Sequence, residues 1–191
     1  MTRCVGLVLA GGASRRMGSD KTALRLNQRS LLSISRETLE AICGKVYIAG
    51  SRHTDVVEST PFQGPAAGIV NAVEALSLAK DYEYLVVSPV DMPELSSQNV
   101  QFLLAQAHKL QSSTYFNRCY LPCVIHLPSL NNLVNQTNSE FWSNMPMRKL
   151  LGWLQGVSIA HNAPHQLSNV NTPDQWRACV ARAKKALVTR A

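Results

Sequence analysis

The sequence contains no apolar run able to cross a membrane, and nothing in it approaches the roughly 20 residues that a helical span needs. Aromatic residues make up 6% of it, too few for a platform on which bases stack, and nothing resembles a nucleic-acid-binding module. Acidic residues are scarce, 12 against 19 lysines and arginines, and the charge of +7 points to an anionic partner such as a small polyphosphate. Part of that excess, at Arg177, Arg182, Lys184, Lys185 and Arg190, belongs to a solvated helix face instead. The N-terminal stretch does not read as a secretory leader, because the apolar residues after Arg3 number only about seven before glycines and arginines interrupt them. With that context absent, five cysteines, an odd count, read as reduced thiols of a cytoplasmic protein. Metal-ligand clusters are lacking too. Cys119 and Cys123 would lie about 13 Å apart along a strand, and Pro164 breaks the helix that would bring His161 and His165 together. No Ser–His or Cys–His arrangement calls for a covalent intermediate.

What is present centres on Leu9-Ala10-Gly11-Gly12-Ala13-Ser14-Arg15-Arg16-Met17-Gly18-Ser19-Asp20-Lys21. An apolar run, Cys4 to Leu9, with the composition of a buried parallel strand empties into this loop. Paired glycines let backbone N–H groups approach an anion with no Cβ in the way, and the arginines and lysine neutralise its charge. The spacing is not that of a P-loop, since Ser19 and Asp20 separate Gly18 from Lys21, nor that of a dinucleotide-binding G-x-G-x-x-G.

Beyond the loop, strands and helices alternate. This predicts one α/β domain over residues 1–191: three layers, with a doubly wound, mostly parallel sheet covered by helices on both faces. Ala23–Leu26 reads as a short extended piece, Ser30–Cys43 as a helix, and Lys45–Ala49 and Val56-Val57 as strands. A helix from Gly64 to about Lys80, a strand ending at Asp91 and a helix over Ser96–Leu110 follow. Ser113–Asn117 and Tyr120–Leu127 read as paired strands, Ser129–Gln136 and Pro146–Leu154 as helices, and Val157–Ala160 as a late strand.

Three further stretches carry chemistry. Gly64-Pro65-Ala66-Ala67-Gly68 opens its helix with small residues, which suits either close approach of a ligand or a tight turn before ordinary packing. Asp91 follows an apolar strand and stands between Pro89 and Pro93, where ligands of open α/β sheets bind. Alone it is either a magnesium ligand or a loop cap. In Asn169-Val170-Asn171-Thr172-Pro173, a capping box accounts for Thr172 to Gln175 but not for the two asparagines.

The first loop resembles the signature L-A-G-G-x-S-x-R-M-G-x-D-K of the molybdenum cofactor guanylyltransferases and matches every fixed position. The G-P-x-A-G, D-x-P and N-V-N-T-P segments follow in that family's order, so the likeness runs from residue 9 to 173. The resemblance implies a Rossmann-like nucleotidyltransferase fold, magnesium as cofactor, and GTP and the molybdenum-bearing pterin as substrates, with transient contacts to cofactor-supplying and cofactor-accepting proteins. It assigns GTP to Leu9, Ala10, Gly11, Gly12, Lys21, Gly64, Gly68 and Asp91. Catalysis falls to Arg16, Lys21 and Asp91, the metal to Asp91, and the pterin side to Pro122, Asn169 and Asn171. Gly11-Gly12 favours guanine, since the related cytidylyltransferases carry L-A-A-G. The sequence departs from the family at Ala49, where asparagine is expected (Ser51 being a stand-in), near Glu58 and Ser59, where an aspartate is expected, and at Leu121, which replaces the histidine of H-P-T. On these departures rest two alternatives: nucleotidyl transfer to another phosphorylated acceptor such as a sugar phosphate, or a non-catalytic nucleotide- or cofactor-binding paralogue.

Overall fold

Strand β1 (Cys4–Leu9) is apolar along its length because both of its faces are covered. Val5, Leu7 and Leu9 point into one core and Val8 into the other, the two-residue alternation of a pleated strand. The same alternation divides β6 (Tyr84–Pro89), with Leu85 and Val87 opposed to Tyr84 and Val86. It divides β8 (Cys119–His126) as well, with Cys123 and Ile125 opposed to Val124. The computed structural model describes residues 3–11, 21–50, 55–57, 64–161 and 164–188.

The remaining strands are β2 (Arg25–Leu26), β3 (Arg29–Ser30), β4 (Val46–Gly50), β5 (Val56–Val57), β7 (Thr114–Phe116) and β9 (Val157–Ile159). Seven of them form one sheet in the order β5-β4-β1-β6-β8-β7-β9, in which β8 alone runs against its neighbours. Helices α1 (Leu31–Glu40), α4 (Ser97–Leu110) and α8 (Pro173–Val188) cover one face. Helices α2 (Pro65–Ala75), α3 (Leu78–Asp81), α5 (Leu127–Val134), α6 (Ser139–Trp142) and α7 (Met147–Trp153) cover the other. This is the expected three-layer, mostly parallel α/β architecture. Among the described residues no helix is long and apolar enough to cross a membrane.

Local chemistry sets the element ends. The Ser30 and Ser96 hydroxyls accept the N–H groups of Ser33 and Asn99, at 3.1 and 3.3 Å, and so start α1 and α4. Of the extended piece expected over Ala23–Leu26, Arg25 and Leu26 form β2, while Ala23 ends a 3-10 turn, Lys21–Ala23; β2 doubles back into β3 through Asn27 and Gln28, both at positive φ. The helix expected over 64–80 is broken at Ser77, whose φ of +50° reorients the chain so that Leu78 enters the core and Tyr82 leads into β6. Helix α5 starts at Leu127 rather than Ser129, with Pro128 in its first turn, where a missing N–H is harmless. The sequence reading did not anticipate α6; its Trp142 anchors it in the core.

Candidate active site

From β1 the chain passes to β4 on one side and later returns to β6 on the other, so a crevice opens beyond the carboxyl ends of β1 and β6. A cavity of about 240 Å³ lies there. Leu9, Ala10 and Gly11 contribute the β1 side of its wall, and Pro89, Val90 and Asp91 the β6 side. The end of β1 is tied to both neighbours: Val90 N–H, just past β6, donates to the Leu9 carbonyl at 3.1 Å, and Ala10 N–H donates to the Ala49 carbonyl of β4 at 2.8 Å. Gly50 at the end of β4 is needed for this closeness, because a Cβ there would sit 3.0 Å from Ala10 C and from Gly11 N.

Lys21 reaches across from its turn. Its Nζ lies 3.0 Å from Asp91 Oδ2 and donates to Asn171 Oδ1 as well. The second carboxylate oxygen, Oδ1, accepts from Asn169 Nδ2 at 3.1 Å. Side-chain exposures of 14% for Lys21 and 16% for Asp91 set this pair apart from the half-exposed surface ion pairs Arg29–Glu37 and Arg36–Glu40. A charge pair this far out of water interacts more strongly than one on the surface. Val170 explains why two asparagines flank it. It is 3% exposed, its N–H donates to the Asp91 carbonyl at 2.8 Å, and its burial leaves both neighbours directed at the site. The capping box then holds the segment. Gln175 Oε1 accepts from Asn171 N and Thr172 N at 2.7 and 3.0 Å, and Thr172 Oγ1 accepts from Gln175 N at 3.3 Å.

The far wall is Leu121. Tyr115 pairs with Cys123 but Phe116 with Cys119, so residues 120–122 bulge from β8 and carry Leu121 to the cavity, while Pro122 is buried behind the wall. The Cys119 thiol donates to the Leu121 carbonyl at 2.8 Å and holds the bulge. Burial, with Asp91 adding to it, pushes that thiol's pKa up and keeps it protonated. The sequence reading weighed Cys119 only as a metal ligand and missed this position. It also missed Thr22, which lines the cavity beside Lys21, and Gly50.

The structure brings together Leu9, Ala10, Gly11, Lys21, Asp91, Asn169 and Asn171. Pro65 joins the wall at the start of α2, but Gly64 and Gly68 do not. Gly64 caps the helix with a φ of +90°, which few residues other than glycine adopt, and Gly68 is buried. Ala49 is 1% exposed and faces the core, so its side chain does not reach the cavity. Gly12, Arg16, Ser51, Glu58 and Ser59 lie outside the described residues.

The sequence pattern of the MobA-like NTP transferase domain matches residues 6–134. The chain belongs to that family, and so is a nucleotidyltransferase. It is 32% identical over 177 residues to the molybdenum cofactor guanylyltransferase of Xanthomonas euvesicatoria pv. vesicatoria, which covers 90% of this chain and 91% of the other. Among solved structures, a nucleotidyl transferase from Methanothermobacter superposes with a TM-score of 0.73 at 13% identity, covering 97% of this chain and 100% of that one. The molybdopterin-guanine dinucleotide biosynthesis protein A of Archaeoglobus fulgidus superposes with a TM-score of 0.61 at 20% identity, covering 97% and 99%. These two likenesses bear on the fold. The match to the MobA-like domain ends at residue 134, so Asn169 and Asn171 lie beyond it and were found through the N-V-N-T-P motif.

Proposed function

We propose that this chain transfers GMP from GTP to the terminal phosphate of the molybdenum-bearing pterin, forming the guanine dinucleotide cofactor and releasing pyrophosphate. The observation that carries this reading is the Lys21–Asp91 pair clamped by Asn169 and Asn171 at the ends of β1 and β6. An acceptor phosphate oxygen attacks the α-phosphorus, and the bond to the pyrophosphate oxygen breaks. The nucleophile is already an anion, so no strong general base is required. What remains is to align two polyanions and to offset the charge that builds between them.

Lys21 is the one cation among the described residues lining the cavity, and it suits the distal phosphates. The Gly11 and Gly12 amides and Arg16 complete the phosphate cradle. The start of α2 is given to the guanine and ribose side through Pro65 on the cavity wall, and Asn169 and Asn171 are given to the pterin side. Magnesium fits Asp91: it favours hard oxygen donors, keeps several waters and takes other ligands from phosphates. In keeping with that, no three His, Cys, Asp or Glu side chains gather as a cage among the described residues. Held there, the ion would offset negative charge on the reacting phosphates. Lys21 occupies Asp91 Oδ2 in the free protein and turns to the triphosphate when it arrives. The partners are GTP, the pterin and, transiently, cofactor-supplying and cofactor-accepting proteins in the cytoplasm.

Leu121 favours one second reading. It presents an apolar wall where the family carries histidine, which suits transfer to a different phosphorylated acceptor. Pyrophosphate release is measured with magnesium and each of the four ribonucleoside triphosphates, with and without molybdenum-loaded pterin. Release confined to GTP plus that acceptor is expected. Release with another acceptor replaces the pterin, and GTP binding without release under any condition makes the chain a non-catalytic paralogue.

A further inference from the structure

Three ion pairs, Arg29–Glu37, Arg36–Glu40 and Arg177–Asp174, join residues no more than eight positions apart and lie on the surface. Two others reach across the chain, Lys21–Asp91 and Arg182–Glu94, and both end on the short stretch that leads from β6 to α4. In that stretch Val90, Met92 and Leu95 are buried in the core shared with α8, together with Val170 and Cys179. Asp91, between the first two, lines the cavity, and Glu94, just before the third, meets α8.

Arg182 holds Glu94 at two points. Its Nε donates to Oε1 at 2.8 Å and its Nη2 to Oε2 at 2.5 Å, a fork that fixes direction as well as distance. The Glu94 side chain is 19% exposed, less than half as much as the glutamates of the surface pairs. Arg182 stands one helical turn beyond the fully buried Cys179, so the contact continues the face by which α8 is seated. At the other end of the same helix, Asn169 Nδ2 and Val170 N–H donate to the side chain and the backbone carbonyl of Asp91. The stretch 91–94 and the segment 169–182 are thus joined at both ends.

We propose that Arg182 and Glu94 are a positioning pair for the nucleotide site, setting how α8 lies against the connection from β6 to α4. Neither side chain lines the cavity; the pair acts through Asp91 and Asn169, which do. The inference rests on Asp91 being the magnesium ligand beside a bound triphosphate, as proposed above. With the outer contact removed, α8 has more freedom to tilt about its cap, and the asparagines at its head shift against the carboxylate. Sites of this kind need their ligands held to within a fraction of an ångström, and magnesium tolerates little departure from octahedral geometry. The arginine is itself half-exposed, so the pair contributes little to global stability, and its effect on the site is separable from folding.

The test uses the full chain, with Mn2+ as a spectroscopic stand-in for magnesium. Binding of Mn2+ in the presence of GTP is followed by electron paramagnetic resonance, and hydrogen exchange by NMR at the Val170 amide. Arg182→Ala should raise the half-saturating Mn2+ concentration roughly two- to fivefold, the scale of one broken ion pair. It should also speed exchange at Val170, with the urea midpoint little changed. Glu94→Gln should reproduce both effects and gives the same reading should Arg182→Ala fail to fold. The double variant should lose no more than either single one. Arg182→Lys, which keeps the charge and loses the fork, should fall between wild type and Arg182→Ala. Arg177→Ala, which breaks the pair with Asp174 on the same helix, should alter neither measurement. Unchanged metal affinity or unchanged Val170 exchange in Arg182→Ala, additive losses in the double variant, or an equal effect of Arg177→Ala overturns the proposal. Wild type that binds no Mn2+ with GTP sinks the reading of the site instead. Val170 exchange in Arg182→Ala then decides alone: faster exchange upholds the positioning contact, and unchanged exchange overturns it.

Discussion

At the scale of single residues, the site turns on one ammonium group shared between a carboxylate and an amide. Lys21 is held by Asp91 Oδ2 and Asn171 Oδ1, and its side chain is 14% exposed. Charge-assisted hydrogen bonds of this kind are worth about 1.5 to 3 kcal/mol. Lys21→Ala should therefore weaken binding of a nucleoside triphosphate by roughly ten- to a hundredfold and binding of the monophosphate far less, as titration calorimetry would report. Equal losses for both would place Lys21 away from the distal phosphates. Lys21 and Asp91 were legible in the sequence through the family pattern of the first loop and the D-x-P segment, since a lone carboxylate after a strand serves equally as a loop cap. Cys119 and Gly50 were not. Nothing local marks either one, and their roles arise from a strand bulge and from the approach of β1 to β4.

Among elements, α8 matters through its first turn. Its capping box does two jobs, since the Gln175 side chain that satisfies the Thr172 N–H also holds the N–H of Asn171. Gln175→Ala should lower stability by about 0.5 to 2 kcal/mol, the range for lost helix caps, read from the urea midpoint. Faster hydrogen exchange at the amides of Asn171 and Thr172 would locate the change, and unaltered exchange there would separate the cap from the site. Caps and turns of this kind were readable because their residues act on backbone only a few positions away. The break at Ser77 and the short α6 were not, since burial of Leu78 and Trp142 against distant partners decides them. Strand β8 was found from its pattern, but its reversal relative to β6 is a matter of register that periodicity does not report.

For the molecule as a whole, the alternating faces of the central strands fix which core each helix joins. Leu85, the second residue of β6, is fully buried between β1 and β8, in the core shared with α2. Leu85→Ala should cost about 2 to 5 kcal/mol, a large part of the 5 to 15 kcal/mol typical of a folded domain. The check is a lower urea midpoint with an unchanged slope; a loss below the lower figure would mean that the two layers re-close around the gap. The α/β class and the layers were legible because buried parallel strands and amphipathic helices have distinct periods. The position of the crevice then followed from strand order.

Asn169 and Asn171 clamp a lysine and an aspartate that precede them by 150 and 78 residues. In the order of synthesis, then, the site is finished late. A growing chain that has emerged as far as residue 134 already holds the sequence of β1, β4, β6 and β8, but not the segment that steadies Lys21 against Asp91. Partly made copies therefore lack the clamp, and the placing of Lys21 beside Asp91 becomes a property of a chain made at least as far as residue 171.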